Sequence, residues 1–276
     1  MRMTTFPIRI ALPSLLLAVA ACSSTAPRTG APPSEARLER VDRVFALEPG
    51  VTLVSVDNPW GEINVRDHGR HEVGMHAVVQ RLPPRFAQAR FESRREGDTL
   101  RIEVHLDGLD RGKPDTSLGR ADIALYIPKQ VAISLRTDGS RIATKKRDGA
   151  VEARSRSGEI QAASKQRLVV HSESGQVRAI AMGANWSGTS EIETVSGRAI
   201  VLVPTFGDVA LDAQTGGTLR SGFGLSVHTL ADGRKSARAN YGRASSMLSV
   251  RSRSGEIVLE QLVPVAQHKG LPEDED

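Results

Sequence analysis

The phrase Arg-Ser-Arg-Ser-Gly-Glu-Ile occurs twice in the chain, at 154–160 and again at 251–257. Its core, Gly-Glu-Ile, appears a third time at 61–63, and the three glycines are equally spaced, about five periods of roughly 19 residues apart. Weaker copies lie at 174–177 and 196–199. Repetition at a fixed period is typical of architectures in which each repeat is one structural unit stacked on its neighbours. The repeats therefore favour an extended surface over a globular catalyst with one cleft.

The residues around each copy alternate between apolar and polar side chains, which is the period of a β-strand. Leu248 and Val250 precede the corner at Gly255, and Ile257 and Leu259 follow it. We expect each copy to form two half-buried strands joined at a glycine, because glycine reaches positive φ without a Cβ clash. One unit alone cannot fold, since each inward side chain contributes about 1.5–3 kcal/mol and each ordered residue costs about 1–2 kcal/mol. The units must therefore stack.

The part of the chain over 38–106 is less regular. Residues 89–93 and 100–106 alternate in the same way on either side of Glu-Gly-Asp at 96–98, which predicts a hairpin with a short turn. The alternative for 85–94 is a short helix.

The first 21 residues have the features of a secretory signal peptide. Arg2 and Arg9 supply a positive start, 10–20 is a short apolar run, and small residues precede Cys22. The apolar run is too short for a spanning helix. We therefore expect 1–21 to be removed on export.

The residues Val-Ala-Ala-Cys at 19–22 resemble the lipobox of bacterial lipoproteins. The resemblance implies that signal peptidase cuts before Cys22 and that its thiol carries a diacylglyceryl group. Several acyl chains at about 0.8 kcal/mol per buried CH₂ give stable anchoring. Under the sorting rules of Gram-negative lipoproteins, Ser23 after the cysteine implies the outer membrane if the organism has one, and we expect the domain to face the periplasm. The alternative is an ordinary signal peptide followed by a stray cysteine.

Both ends of the exported chain differ in composition from the repeats. Residues 22–37 are rich in Ser, Thr, Ala, Pro and Gly, which predicts a disordered tether. The chain ends in an acidic run, and we expect 265–276 to be a disordered tail. Cys22 is the only cysteine, so we expect no disulfide and no cysteine zinc site. We also expect no other metal site and no cofactor.

The charge balance limits the partners. Lys and Arg number 37 against 32 Asp and Glu, a formal net charge of +5. Export argues against nucleic acid as a partner despite this basic balance. Membrane lipid through the anchor, anionic glycans and other envelope proteins are the partners within reach.

Three features follow one another along the chain: Asn-Pro-Trp-Gly-Glu-Ile-Asn-Val at 58–65, Asp-Ile-Ala-Leu-Tyr-Ile-Pro at 122–128, and the recurrent Ser-Gly-x-Ile/Val. This order resembles the DUF4097 family of β-strand-repeat proteins, also called putative adhesins, over about 41–262. The resemblance implies an all-β, single-domain, right-handed parallel β-solenoid over 38–264 with a less regular N-terminal β region. "Adhesin" is a label of analogy in that family, which carries no agreed catalytic or ligand residues to transfer.

The strongest surface feature is a set of arginines at outward positions of the repeats. If the repeats stack in register, these side chains form a ridge that could bind phosphate or uronate groups. The candidate anion-binding residues are Arg154, Arg156, Arg178, Arg198, Arg251 and Arg253. The alternative is a solvated face of mixed charge, since Glu173 and Glu193 take equivalent places in neighbouring repeats.

No residue pattern predicts catalysis. Glu62, Glu159 and Glu256 each follow a corner glycine, which is typical of a solvated turn residue. We therefore expect a non-enzymatic, adhesin-like binding or structural surface. Two alternatives stay open: a β-helix lyase or hydrolase acting on an anionic polysaccharide, and an envelope-stress or assembly accessory protein.

Overall fold

A computed structural model describes residues 36–183 and 185–263. The predicted signal peptide, Cys22, nearly all of the tether and the acidic tail lie outside these ranges. Within them every regular element is a β-strand, so the prediction of an all-β fold is confirmed. A search of the same ranges for a helix long and apolar enough to cross a bilayer finds none.

The strands in chain order are β1 (Arg37–Ala46), β2 (Leu53–Asp57), β3 (Ile63–His68), β4 (Glu72–Arg81), β5 (Ala89–Glu96), β6 (Thr99–Leu106), β7 (Gly119–Pro128), β8 (Ala132–Thr137), β9 (Ile142–Thr144), β10 (Val151–Ser155), β11 (Ile160–Ser164), β12 (Leu168–Ser172), β13 (Val177–Ala181), β14 (Thr189–Thr194), β15 (Ala199–Val203), β16 (Val209–Thr215), β17 (Leu219–Ser221), β18 (His228–Thr229), β19 (Lys235–Asn240), β20 (Ser246–Ser252) and β21 (Ile257–Gln261). They form two sheets, neither of which closes. Sheet A has the order β1-β4-β7-β3-β9-β11-β13-β15-β21-β17, and sheet B has the order β18-β19-β16-β20-β14-β12-β10-β8-β2-β6-β5.

Most consecutive strands alternate between the two sheets. One strand lies in sheet B, a short corner follows, and the next strand lies in sheet A; we call each such pair an arch. The arches are β2–β3, β8–β9, β10–β11, β12–β13, β14–β15, β16–β17 and β20–β21. Neighbouring arches pair in parallel in both sheets. Gly61, Gly158 and Gly255 each lie in the corner of an arch, as the repeat predicts.

The arches do not stack in chain order throughout. The last arch of the chain, β20–β21, lies between β14–β15 and β16–β17 in both sheets. On its two sides, Val250 of β20 lies opposite Ile192 of β14 and Ala213 of β16. Stacking of each arch on the one before it in sequence therefore holds from β2–β3 to β14–β15 and ends there.

Both sheets are mixed, which corrects the prediction of a wholly parallel stack. β1, β4 and β7 run antiparallel at one end of sheet A, and β5 and β6 do so at the same end of sheet B. At the other end of sheet B, β19 runs antiparallel to both β16 and β18. These antiparallel strands cover the edge of the parallel stack at three of its four sheet ends, and β1, β5, β18 and β17 are then the terminal strands.

The predicted hairpin is confirmed as β5 and β6. Glu96 lies opposite Thr99, and Gly97 in the turn has a φ of 61°. The alternative of a helix over 85–94 is wrong, because Phe91 belongs to β5, faces Val104 across the hairpin and is 9% exposed. Burial of this ring outweighs local helix preference.

The inward faces of both sheets form one apolar core. Val151 and Ala153 of β10 are buried, as are Ile160 and Ala162 across the corner on β11. The residues between them point outward, because successive side chains of a strand alternate between its faces. Each arch therefore contributes a few small and branched side chains from two strands to a core shared with its neighbours.

The corner glycines are needed for close backbone approach and not for positive φ. A Cβ on Gly158 would lie 1.7 Å from the carbonyl oxygen of Ser140, and one on Gly255 would lie 2.1 Å from that of Gly197. The glycines with positive φ lie elsewhere in the described chain. The residue type was predicted correctly, but the physical reason is the backbone of the next arch.

A buried hydroxyl supports the corner in both copies of the heptapeptide. The N–H of Gly158 donates to Ser155 Oγ at 2.8 Å, and the N–H of Gly255 donates to Ser252 Oγ at 2.8 Å. Ser155 Oγ in turn donates to the carbonyl of Asp138 on the neighbouring arch at 3.0 Å. Ser155 and Ser252 therefore bond to backbone groups that would otherwise have no partner in the buried corner.

One arginine is fully buried on the opposite side of the arches. The guanidinium of Arg147 donates to the carbonyl oxygens of Ile127 at 2.9 Å, Pro128 at 2.5 Å and Val131 at 3.1 Å, and to Asp67 Oδ1 at 3.1 Å. Burial lowers the pKa of Arg147, although Asp67 opposes this effect. The side chain ties the end of β7 to the β8 arch and points away from solvent.

Candidate functional site

A groove forms where one long connection crosses beside the short corners of the arches. Residues 107–118 join β6 in sheet B to β7 in sheet A and form its wall. The groove continues around the corners as two adjoining cavities of about 620 Å³ and about 530 Å³, which share Pro59, Asp138 and Arg156. The connection lines both, through Arg111 in the first and Pro114 in the second.

Four arginines line the first cavity of the groove. Arg136 and Arg154 are directly opposite each other on the neighbouring strands β8 and β10, and both point outward. Neighbouring strands lie about 4.8 Å apart, so two positive side chains stand side by side. Arg156 follows in the corner of β10–β11, and Arg111 reaches in from the connection.

Three of these guanidinium groups are held by carboxylates. Arg111 binds Asp57 at 2.8 Å and Arg154 binds Glu152 at 2.7 Å. Arg156 donates through two nitrogens to the two oxygens of Asp138, at 2.9 and 2.6 Å. The hydrogen bond and charge of Asp138 raise the pKa of Arg156. These pairs fix the direction of the arginines without consuming every N–H donor that they carry.

Arg136 is the exception among the four. It is exposed, and over 36–183 and 185–263 no acidic side chain forms an ion pair with it. A guanidinium presents a planar fork of donors that matches the oxygens of a carboxylate, sulfate or phosphate. Arg136 is therefore the residue of the groove best placed to bind an anionic group from solution.

The groove also contains acids. Asp57 and Asp138 are paired with arginines as described, and Glu173 lines the same cavity. His171 lies beside them and points outward, as its strand position predicts, with Nδ1 3.2 Å from Glu193. The first cavity is therefore lined by four arginines and three acids, whereas the two cavities together are lined by six of each.

The structure brings together only two of the six arginines predicted from the repeats. Arg154 and Arg156 line the groove, whereas the others lie on different strands and corners. Arg251 on β20 binds Asp212 at 2.6 Å, Arg178 on β13 lies 3.7 Å from Glu260, Arg198 binds Glu256 at 2.9 Å, and Arg253 is in the β20–β21 corner. Two arches separate β20–β21 from β10–β11, so the two heptapeptides do not form one ridge.

The recurrent glutamates after the corner glycines form ion pairs. The pairs are Arg120 with Glu62 at 2.9 Å, Arg141 with Glu159 at 3.8 Å and Arg198 with Glu256 at 2.9 Å. Arg141 and Arg198 belong to arches stacked directly on those of their partners. Exposed pairs of this kind contribute about 0–1 kcal/mol each, so they align arches more than they stabilise the fold.

Arg111 and Arg136 are the groove residues that the repeats do not indicate. Arg136 could have been found by aligning Thr137 with Ser155, because this alignment places Arg136 opposite Arg154. Arg111 lies in a connection with no repeat, so no sequence signal places it here. A search of the described chain finds no group of three His, Cys, Asp or Glu side chains arranged to hold a metal ion.

Comparison with known proteins gives structural likenesses alone. No family model matches the chain, and no curated protein is similar to it. A putative cell adhesion protein from Clostridium sporogenes is 13% identical, with a TM-score of 0.49 over 82% of this chain and 100% of that one. A putative adhesin from Bacteroides fragilis is 10% identical, with a TM-score of 0.34 over 84% of this chain and 100% of that one. At these values the function has to be argued from the residues of the chain itself.

Proposed function

We propose that the protein is a non-catalytic, adhesin-like envelope lipoprotein whose solenoid-type stack of arches binds an anionic glycan in the groove. The observation that carries the proposal is Arg136, an exposed arginine without an acidic partner in the described chain, beside three arginines that carboxylates hold in place. Groups held in advance lose little conformational entropy when a ligand arrives. A sugar that carries a carboxylate, sulfate or phosphate is the ligand class, because each of these groups accepts two parallel N–H bonds from one guanidinium.

Binding of an acidic polysaccharide tests this site. We expect the full chain to bind polygalacturonate in calorimetry, and not neutral dextran. Arg136→Ala should weaken binding by about tenfold, or about 1.4 kcal/mol, through loss of charged hydrogen bonds.

The matched control is Arg253→Ala, which removes the same charge from a corner outside the groove. Equal binding by wild type and Arg136→Ala, or equal losses in both variants, would contradict the assignment.

The lipid anchor at Cys22 and the outer-membrane location facing the periplasm belong to the same proposal and rest on the sequence. We expect the wild-type chain to fractionate with outer membranes and Cys22→Ala to fractionate with soluble periplasm. If the variant stays on membranes as the wild type does, the anchor is wrong, whatever the result for the groove.

A second function has one observation in its favour. Asp57, Asp138 and Glu173 line the same groove as the arginines, and cleavage of a glycosidic bond uses two carboxylates across the substrate. An enzyme of this class would depolymerise polygalacturonate, and Asp138→Asn would abolish the activity. Binding without any new reducing ends or unsaturated products would instead favour the non-catalytic function.

A further inference from the structure

β1 is the terminal strand of sheet A and one of the two longest edges of the described sheets. Over its ten residues it pairs with β4 on one side. Its other side has no strand partner among residues 36–183 and 185–263. A long edge of this kind is a template on which another strand can pair, and proteins usually blunt it.

The side chains of β1 are unusual for an exposed edge. Leu38 is 71% exposed and Val44 is 66% exposed, both on the outer face of sheet A. Arg40 and Arg43 are exposed as well, and no ion pair within the described ranges includes either of them. Two apolar and two basic side chains along one edge are thus left without partners.

Symmetry restricts how two copies of this edge can pair. In an antiparallel pair, hydrogen-bonded and non-hydrogen-bonded residue pairs alternate along the strands. A two-fold axis between two successive pairs would make these two kinds of pair equivalent, which is impossible. The axis must therefore pass between one residue and its own copy. Each permitted register is therefore defined by its central residue, and side chains keep to their own face of the sheet.

The register centred on Val41 satisfies every unpartnered side chain. Its cross-strand pairs are Arg37 with Phe45, Leu38 with Val44, Glu39 with Arg43, Arg40 with Asp42, and Val41 with its copy. The register centred on Arg40 places Arg37 opposite Arg43 and Leu38 opposite Asp42, and the one centred on Asp42 places Glu39 opposite Phe45. Opposite charges and apolar pairs stabilise neighbouring strands, whereas like charges destabilise them.

We propose that two copies of the chain join edge to edge through β1, antiparallel, on a two-fold axis at Val41. Sheet A then continues from one copy into the other. Asp42 and Glu39 contact His76 and Arg81 within one chain, and in the dimer they also face the free arginines of the second copy. The proposal is independent of the ligand in the groove.

Cysteine cross-linking tests the register. In a full chain with Cys22→Ala, the double variant Leu38→Cys, Val44→Cys should form disulfide-linked dimers on mild oxidation. Directly opposite residues have Cβ atoms about 4.5–5.5 Å apart, close to disulfide reach. Each single variant should give few dimers, because the two copies of either position lie about 20 Å apart. Equal cross-linking of single and double variants, or none in the double variant, would overturn the register.

Charge exchange tests the pairing itself. Arg40→Asp should weaken the dimer measured by sedimentation by about tenfold or more, since it places two acids opposite each other at both symmetric contacts. Addition of Asp42→Arg should restore the dimer, a rescue that damage to the fold would not give. Arg253→Asp is the matched control and should leave the dimer unchanged. A wild-type chain that stays monomeric at every concentration would overturn the proposal.

Discussion

Gly158 shows how a single residue type can be fixed by the neighbouring arch. Its added Cβ would lie 1.7 Å from a backbone oxygen of Ser140, which cannot move as a flexible side chain can. We expect Gly158→Ala to destabilise the fold by about 3 kcal/mol or more, measured by urea unfolding, because two paired strands must separate to admit one methyl group.

The control is another glycine, Gly69, in the turn between β3 and β4. A Cβ added there meets no atom within 4 Å. Gly69→Ala should change the free energy of unfolding by less than about 1 kcal/mol. If both substitutions have similar effects, the close approach of the arches is not what requires glycine at the corner.

Asp208 makes a pH-dependent contribution to the free energy of unfolding. Its carboxylate accepts from the backbone N–H of Arg243 at 2.8 Å and from Arg243 Nε at 3.2 Å. The backbone hydrogen bond is the main reason that the pKa of Asp208 lies below its ordinary value, with burial opposing it. A carboxyl with a lowered folded-state pKa stabilises the fold above its unfolded pKa of about 3.9 and loses this contribution as pH falls through the folded value. Asp208→Asn should therefore be less stable than wild type at pH 7, with a difference that shrinks below about pH 4.

At the residue scale, the sequence predicted where glycine is required but not the physical reason for it. The glycines of the repeats were expected to provide positive φ, yet the structure uses them for contact between backbones. Positive φ is a local property that a sequence pattern can suggest, whereas contact with Ser140 or Gly197 depends on which arch lies alongside. The hydrogen bond from Ser155 to the carbonyl of Asp138 has the same limit, because Asp138 belongs to the neighbouring arch.

The arch is the element that the heptapeptide encodes, and the two serines of the heptapeptide have different roles in it. Ser155 is buried and bonds to the N–H of Gly158 in its own corner and to the carbonyl of Asp138 on the neighbouring arch, whereas Ser157 is exposed. We expect Ser155→Ala to cost about 1–3 kcal/mol, because it leaves the N–H of Gly158 without its partner. Ser157→Ala, two residues away in the same phrase, should cost less than about 0.5 kcal/mol in the same thermal or urea unfolding experiment.

The existence of arches could be predicted, but their neighbours could not. Alternation and glycine spacing locate the strands, and they also placed the hairpin of β5 and β6 correctly. Because 154–160 and 251–257 are identical, however, the two arches offer the same corner to a third one. The repeated sequence makes each arch easy to recognise. For the same reason it does not specify which arch stacks on which.

At the scale of the molecule, the inserted arch makes the C-terminal strands central. A chain ending after Ser245 lacks β20 and β21, so β14–β15 and β16–β17 both lose the arch between them. We expect this chain to lose cooperative unfolding in circular dichroism, whereas a chain ending after Val263 keeps it. A stack in chain order would lose only a terminal unit and would still fold.

The groove belongs to this scale as well. It needs the long connection over 107–118 beside four successive arches, from β2–β3 to β12–β13, and it draws Arg111, Arg136 and Arg156 from three separate parts of the chain. Repeat analysis found Arg154 and Arg156 because they are in the heptapeptide. It missed the other two because a connection has no period and the copy before Gly139 is degenerate.

The wedged position of β20–β21 has a consequence for biosynthesis. A nascent polypeptide leaves the ribosome amino end first, so β14 to β17 exist before the strands that must separate them. Those two early hairpin-like segments have to remain apart, or come apart again, until the last segment arrives. Nearly the whole described length of the chain must therefore be synthesised before the stack can close, and until then the strand edges that later receive β20 and β21 have no partners.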